Sequence, residues 1–132
     1  MLKILKIRKP DDWHLHLRDG DMLKPILRET VRDFKRAIIM PNLVPPILNS
    51  KDAVSYRNKI LSALPKGSHF DPLMTIYLTD QSNHEDIIEA YLSGLIFFFN
   101  FFNFSLSSSF LFLLFFPNEN KDAKGLLSDC FS

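Results

Sequence analysis

The chain has 132 residues, 46% of them apolar, and a formal net charge of +1. This composition is typical of a globular domain and excludes a disordered chain, while the near-zero charge argues against a nucleic-acid partner. The lone cysteine, Cys130, excludes a fold held together by internal disulfides.

The first predicted elements are short extended segments. Apolar residues alternate with lysine and arginine over residues 2–7, which predicts a strand that residues 10–12 interrupt. A second extended run covers residues 13–17, and the Asp-Gly-Asp sequence at residues 19–21 predicts a turn after it.

Helical and extended patterns then alternate. Apolar residues recur at helical spacing from Met22, and residues 37–40 form a short apolar run typical of a buried strand. Ser50 is the predicted N-cap of a second helix, residues 73–78 predict another strand, and Asn83 is the predicted N-cap of a third helix. The next strand is expected at about residue 95. This alternation predicts a parallel α/β architecture without distinguishing an open sheet from a barrel.

Polar side chains follow the predicted strands at their carboxyl ends, which form the ligand-binding edge of parallel α/β folds. They are His14, His16, Arg18, Asn42, Thr79 and Asp80. Two histidines two residues apart on an extended segment share one face and suit a divalent metal such as zinc. An arginine farther along the same face suits a carboxylate. An isolated pair of this kind is more often formed by surface or packing histidines, so the residues alone leave both interpretations open.

Three longer strings are more specific. PDDWHLHLRDGDMLK at residues 10–24, RAIIMPNLVPP at 36–46 and FDPLMTIYLTD at 70–80 closely resemble, in this order, the dihydroorotases of the single-function type. These enzymes are metal-dependent amidohydrolases, and the resemblance covers about residues 2–96. It implies an α/β fold containing the first three to four βα units of a (β/α)₈ TIM barrel. The implied activity is the reversible hydrolysis of dihydroorotate to N-carbamoyl-aspartate in pyrimidine biosynthesis.

The resemblance also implies roles for single residues. His14 and His16 correspond to the first zinc ligands of a site that holds two zinc ions in complete family members, and Arg18 and Asn42 correspond to residues that hold the substrate carboxylate. A small-molecule substrate, no nucleic acid, a cytoplasmic location (organellar in a plant) and a homodimer of the complete protein are the further implications.

The chain departs from the family pattern at the fourth strand, where the family carries a carbamylated lysine that bridges the metals. An ungapped count places Asn100 at this position, and asparagine has no amine to carbamylate. The family's remaining metal ligands and its proton-transferring aspartate belong to later strands. We therefore expect an incomplete, inactive site and weak zinc binding. A non-catalytic carboxylate-binding protein and a membrane-anchored derivative are the alternatives.

The resemblance ends where a phenylalanine-rich tract begins. Ten of the 13 phenylalanines lie between Phe97 and Phe116, and no charged residue occurs from Ala90 to Asn118. The tract could be a membrane span, a core element, or sequence foreign to the family, such as a retained intron or a frameshift. Mid-tract serines argue against the membrane, and a core element would keep a regular period. We thus predict residues 1–96 as the start of the barrel and residues 97–132 as a low-complexity, aberrant tail.

Overall fold

Strands and helices alternate along the part of the chain that the computed structural model describes, which is residue 4, residues 6–80 and residues 82–101, without the side chains of residues 84 and 97–101. A single turn of 3₁₀ helix, Gly20–Met22, precedes the first α-helix. The elements are β1 Asp11–Leu15, α1 Leu23–Asp33, β2 Arg36–Ile39, α2 Ser50–Ser62, β3 Asp71–Leu78, α3 His84–Leu92 and β4 Ile96–Phe101.

The four strands form one parallel sheet in the order β1-β2-β3-β4. The predicted α/β class and parallel sheet are therefore confirmed, and β4 begins one residue after its expected start. The strand order never reverses along the sheet. In a parallel sheet with this order, right-handed crossovers that run in one direction place the helices on the same face.

The main core lies between the sheet and the helices. Helix α1 buries Leu23, Leu27 and Val31, and α2 buries Ala53, Tyr56 and Ile60. Strand β2 is buried on both faces, as predicted, because Ala37 and Ile39 pack into the main cluster while Ile38 joins Met40 and Leu73 in a second one.

The predicted strand over residues 2–7 is wrong within the described residues. Residues 4 and 6–10 lie outside any strand, and the side chains of Ile4 and Ile7 are 87% and 75% exposed. Pairing begins instead at Asp11, opposite Arg36, and the Pro10 carbonyl accepts the Lys35 amide at 2.9 Å. Alternation of apolar residues is insufficient here, since a strand also needs a neighbour to pair with.

Of the two predicted N-cap residues, one is confirmed and the other is wrong by one position. Asn49, not Ser50, caps α2, because the Asn49 side-chain oxygen accepts the Asp52 amide at 2.9 Å. Asn83 caps α3 as predicted, accepting the Glu85 amide at 3.1 Å. Both caps are asparagines whose short amides reach the unpaired amides of the first helical turn.

An ion pair joins the first residues of β1 and β2, and its contribution to stability depends on pH. The Arg36 guanidinium donates to both carboxylate oxygens of Asp11, with Nε 3.0 Å from Oδ1. This hydrogen bonding lowers the pKa of Asp11. The stabilisation is therefore present above the usual pKa of aspartate and is lost as the pH falls through the lowered value.

We expect Asp11→Asn to lower the midpoint of thermal unfolding at about pH 7, with a difference from wild type that shrinks as the pH falls from about 5 towards 2. Calorimetry or circular dichroism across this range would measure it, and Arg36→Gln should reproduce the same pH dependence. A difference that stays constant with pH would contradict the assignment.

The Phe-rich tract is described only in part. The first residues of the predicted tail, 97–101, continue β4 beside β3, and the rest of that tail, residues 102–132, lies outside the described residues. Where the structure describes the chain, it contains no helix with the length and apolarity needed to cross a bilayer.

Candidate metal and carboxylate site

The two histidines of the predicted metal site meet at the carboxyl end of β1. His14 Nε2 and His16 Nε2 lie 3.1 Å apart, and the two rings contact edge to face with centroids 5.0 Å apart. The expectation that residues two apart share one face is confirmed for this pair.

A β-bulge in β1 lies at this histidine pair. The register with β2 shifts between Asp12 and Leu15, so three residues of β1 span two of its partner. The His14 amide donates to Asp12 Oδ1 at 2.9 Å, which gives a local partner to an amide at the bulge. Bulges are common next to binding sites because they redirect side chains.

The protonation of His16 suits metal binding. Partial burial lowers the pKa of its imidazole below the usual value of 6.5, and the nearby charges of His14 and Arg18 lower it further. A side-chain hydrogen bond with Asn42 acts in the opposite direction. The net effect favours the neutral imidazole at neutral pH, which is the form that binds divalent metals.

The histidine pair fits one half of a zinc coordination sphere. Two nitrogen ligands of a tetrahedral zinc, each about 2.0–2.1 Å from the ion, lie roughly 3.3 Å apart, close to the 3.1 Å between these Nε2 atoms. Within residues 4, 6–80 and 82–101, no cluster of three or more His, Cys, Asp or Glu side chains is placed to share an ion. The described residues therefore supply a ligand pair and not a complete site.

Arg18 lies in the turn after β1 with its side chain exposed. Its backbone is left-handed, with φ of 63°, and Gly20 has φ of 62°. Glycine adopts this conformation freely, whereas a residue with a Cβ is held there at a cost of about 1–3 kcal/mol. Such a residue needs surrounding contacts that maintain it.

Helix α2 provides these contacts. The Tyr56 hydroxyl donates to the Arg18 carbonyl, and Lys59 Nζ lies 2.8 Å from Asp19 Oδ2. Burial raises the pKa of Tyr56, and the Asp19 carboxylate adds to this effect, so the hydroxyl remains a donor. The helical apolar pattern could have indicated Tyr56, three residues after Ala53, as a core position, but it holds no signal for the bond to Arg18.

Asn42 is placed by the loop after β2. The Pro41 carbonyl accepts the amides of Leu43 and Ile47 at 2.9 Å each, and the Ile47 carbonyl accepts the Tyr77 amide at 2.8 Å. Ile47 is buried in the main core, whereas Asn42 is exposed beside His16. The loop is therefore anchored to β3, and this anchoring brings Asn42 to the histidine pair.

The other predicted positions lie on the neighbouring strands. Thr79 and Asp80 follow β3, and the Thr79 amide donates to Ser82 Oγ at 2.9 Å. Asn100, at the position expected for the bridging lysine, pairs in register with Tyr77 within β4. The structure thus places His14, His16 and Asn42 beside one another, with the charge of Arg18 near enough to lower the pKa of His16. Asn100 lies on β4, two strands from β2 along the sheet.

Comparison with proteins of known identity points to one group of enzymes, although no protein-family model matches the chain. The chain is 58% identical over 96 residues to a dihydroorotase of Ruegeria pomeroyi, an alignment that covers 73% of this chain and 28% of that protein. It is 60% identical over 92 residues to a dihydroorotase of Rhizobium rhizogenes, covering 70% of this chain and 27% of the relative.

Solved structures agree with the sequence matches. The Campylobacter jejuni dihydroorotase aligns with a TM-score of 0.63 and 38% identity over 72% of this chain and 27% of that chain. The Saccharomyces cerevisiae dihydroorotase, solved in complex with 5-fluoroorotic acid, aligns with a TM-score of 0.65 and 25% identity over 87% and 30%. The chain spans between a quarter and a third of the length of these relatives.

Proposed function

We propose, from the premise that this chain is related to the dihydroorotases, that it contributes the first metal-ligand pair and the carboxylate-binding residues of a zinc-dependent dihydroorotase. The observation that carries the proposal is the convergence of four side chains at the carboxyl ends of β1 and β2. They are His14, His16, Arg18 and Asn42. The similarity to dihydroorotases in sequence and structure supports this choice over other metal-dependent hydrolases.

In this proposal the histidines hold a metal and the arginine holds the substrate. His14 and His16 supply two neutral imidazoles for one zinc ion; zinc, when bound, activates water for attack on an amide carbonyl. Arg18 is exposed and donates through a planar guanidinium that matches a carboxylate. Asn42 is hydrogen-bonded to His16, so it links the carboxylate-binding residues to the histidine pair.

We propose a small molecule as the substrate of this site. The Saccharomyces cerevisiae relative was solved with 5-fluoroorotic acid, which favours a small acid as the ligand of this site as well. We include in the proposal a (β/α)₈ barrel as the complete fold, with residues 1–96 as its beginning, a homodimer of the complete protein and a cytoplasmic location. The consecutive parallel strand order supports the barrel.

A second function is favoured by one observation: asparagine at position 100, in β4 beside Tyr77, cannot be carbamylated to bridge two metals. In this alternative the chain binds the carboxylate through Arg18 and Asn42 without hydrolysing the ring. Both functions require the same arginine, so they differ in whether a zinc ion on the histidine pair takes part in binding.

We expect Arg18→Met to weaken the binding of dihydroorotate by about 10- to 150-fold, because a charge-assisted hydrogen bond contributes about 1.5–3 kcal/mol. Titration calorimetry of the folded chain with dihydroorotate, with and without zinc, would measure the dissociation constant. Arg18→Lys keeps the charge but loses the bidentate geometry and should have an intermediate effect.

The control is Arg28→Met on α1, where the side chain is exposed and pairs only locally with Glu29; it should bind like wild type. Binding of dihydroorotate that zinc strengthens supports the dihydroorotase site, because the histidine pair then takes part, whereas binding that zinc leaves unchanged supports the carboxylate-binding alternative. A folded wild-type chain that does not bind dihydroorotate would exclude both.

A further inference from the structure

We propose that Tyr56 is a positioning residue for Arg18: its hydroxyl holds the Arg18 carbonyl and so sets the direction in which the guanidinium leaves the turn. The effect on ligand binding (the ligand side) rests on the proposed function, because that function makes Arg18 the carboxylate-binding group. The effect on the Arg18 backbone (the backbone side) rests only on the contacts of α2 with the turn.

The conformation of Arg18 itself supports this role for Tyr56. Its backbone is left-handed, and its side chain is exposed. Because little packing restricts the rotamers of an exposed side chain, the backbone sets only the Cα–Cβ direction from which the guanidinium extends. A contact that maintains this backbone therefore maintains that direction.

Tyr56 packs through its ring and forms its hydrogen bond through its hydroxyl. Its residue is 3% exposed and belongs to the main core, while its hydroxyl bonds to the carbonyl of a residue 38 positions earlier in the chain. The ring alone satisfies the packing role, and phenylalanine would fill the same space. Because the hydroxyl adds only the bond to Arg18, its removal tests positioning with little change in the core.

Helix α2 makes a second contact, one helical turn farther along, to the next residue of the turn. Lys59, three residues after Tyr56, places Nζ 2.8 Å from Asp19 Oδ2, and Asp19 Oδ1 accepts the Gly20 amide at 2.8 Å. Two neighbouring turn residues are thus held by residues one helical turn apart. The lysine–aspartate pair is partly exposed, so we expect Tyr56 to contribute more than Lys59.

Limited trypsin digestion tests the backbone side directly, because the carbonyl that Tyr56 binds belongs to the Arg18–Asp19 bond that trypsin cleaves. The chain carries a second Arg–Asp bond, Arg32–Asp33, at the end of α1, which serves as the internal reference. In Tyr56→Phe we expect the ratio of cleavage at Arg18–Asp19 to cleavage at Arg32–Asp33 to rise about fivefold. Lys59→Met should raise it less, and Tyr91→Phe on α3 should leave it unchanged.

An unchanged ratio in Tyr56→Phe would overturn the inference. Equal acceleration at both bonds would also overturn it, since this is the result expected if the hydroxyl serves only global stability. Mass spectrometry of the early fragments gives both rates from one digest.

The ligand side is tested by titrating the same variants with dihydroorotate. We expect Tyr56→Phe to raise the dissociation constant about fivefold with an unfolding midpoint close to that of Tyr91→Phe. Faster cleavage at Arg18–Asp19 combined with a wild-type dissociation constant would overturn the inference. If wild type does not bind dihydroorotate, the proposed function fails, and the cleavage ratio alone decides whether Tyr56 positions Arg18.

Discussion

His16→Ala should weaken zinc binding by this chain on the order of 100-fold. Complete structural sites with four ligands bind zinc with about 10–16 kcal/mol, or roughly 2.5–4 kcal/mol per ligand. The described residues offer two ligands whose Nε2 atoms lie 3.1 Å apart. Wild type should therefore bind with a dissociation constant of roughly 1–200 µM, and the loss of one histidine removes about half of this free energy.

Zinc titration of the metal-free chain by calorimetry would measure both constants. His69→Ala is the matched control, because His69 is an exposed histidine just before β3, at the opposite end of the strands. It should bind zinc like wild type. Stoichiometric zinc that survives dialysis of wild type against a chelator would contradict a two-ligand site, and an unchanged affinity in His16→Ala would remove His16 from the ligand set.

Leu27→Ala should lower the free energy of unfolding by about 2–5 kcal/mol. Leu27 is fully buried in α1 at the centre of the main core, so truncation removes its apolar surface and leaves a cavity that the surrounding side chains fill only partly. Because small domains are stable by only about 5–15 kcal/mol, this change is a large share of the total. Urea denaturation followed by circular dichroism would measure it.

The control is Leu48→Ala, which truncates a leucine that is 43% exposed in the loop before α2. We expect a change of about 0.5 kcal/mol or less. Similar losses in the two variants would mean that the contacts between α1 and the sheet do not carry the stability of this chain.

Local patterns predicted most of the secondary structure. The helical period of α1 and the apolar run of β2 were recognisable because each element buries a face that its own sequence defines. The strand predicted over residues 2–7 failed for the complementary reason, since alternation does not supply a pairing partner. The N-cap of α2 differed by one residue because Ser50 and Asn49 are both good caps, and only the geometry shows which side chain reaches Asp52.

Some features of the candidate site could likewise be predicted from local sequence, and others could not. His14 and His16 could be paired from sequence because a two-residue spacing is a local property of extended chain, and Asn42 could be added because parallel strands end at one edge. The hold of Tyr56 on Arg18 could not be predicted, since it joins residues 38 positions apart. Its existence depends on how α2 packs against the sheet.

The sequence by itself determined the class of fold, the near-neutral composition, the histidine pair and the resemblance to dihydroorotases, all of which follow from residue type and short spacings. Only the tertiary structure decided the consecutive parallel order of the four strands, the bulge between Asp12 and Leu15 in β1, and the left-handed turn at Arg18 that α2 maintains. The physical reason is the separation in sequence between the residues that interact. Periodicity and capping depend on residues a few positions apart, whereas strand partners and the donors that hold a strained turn come from distant parts of the chain.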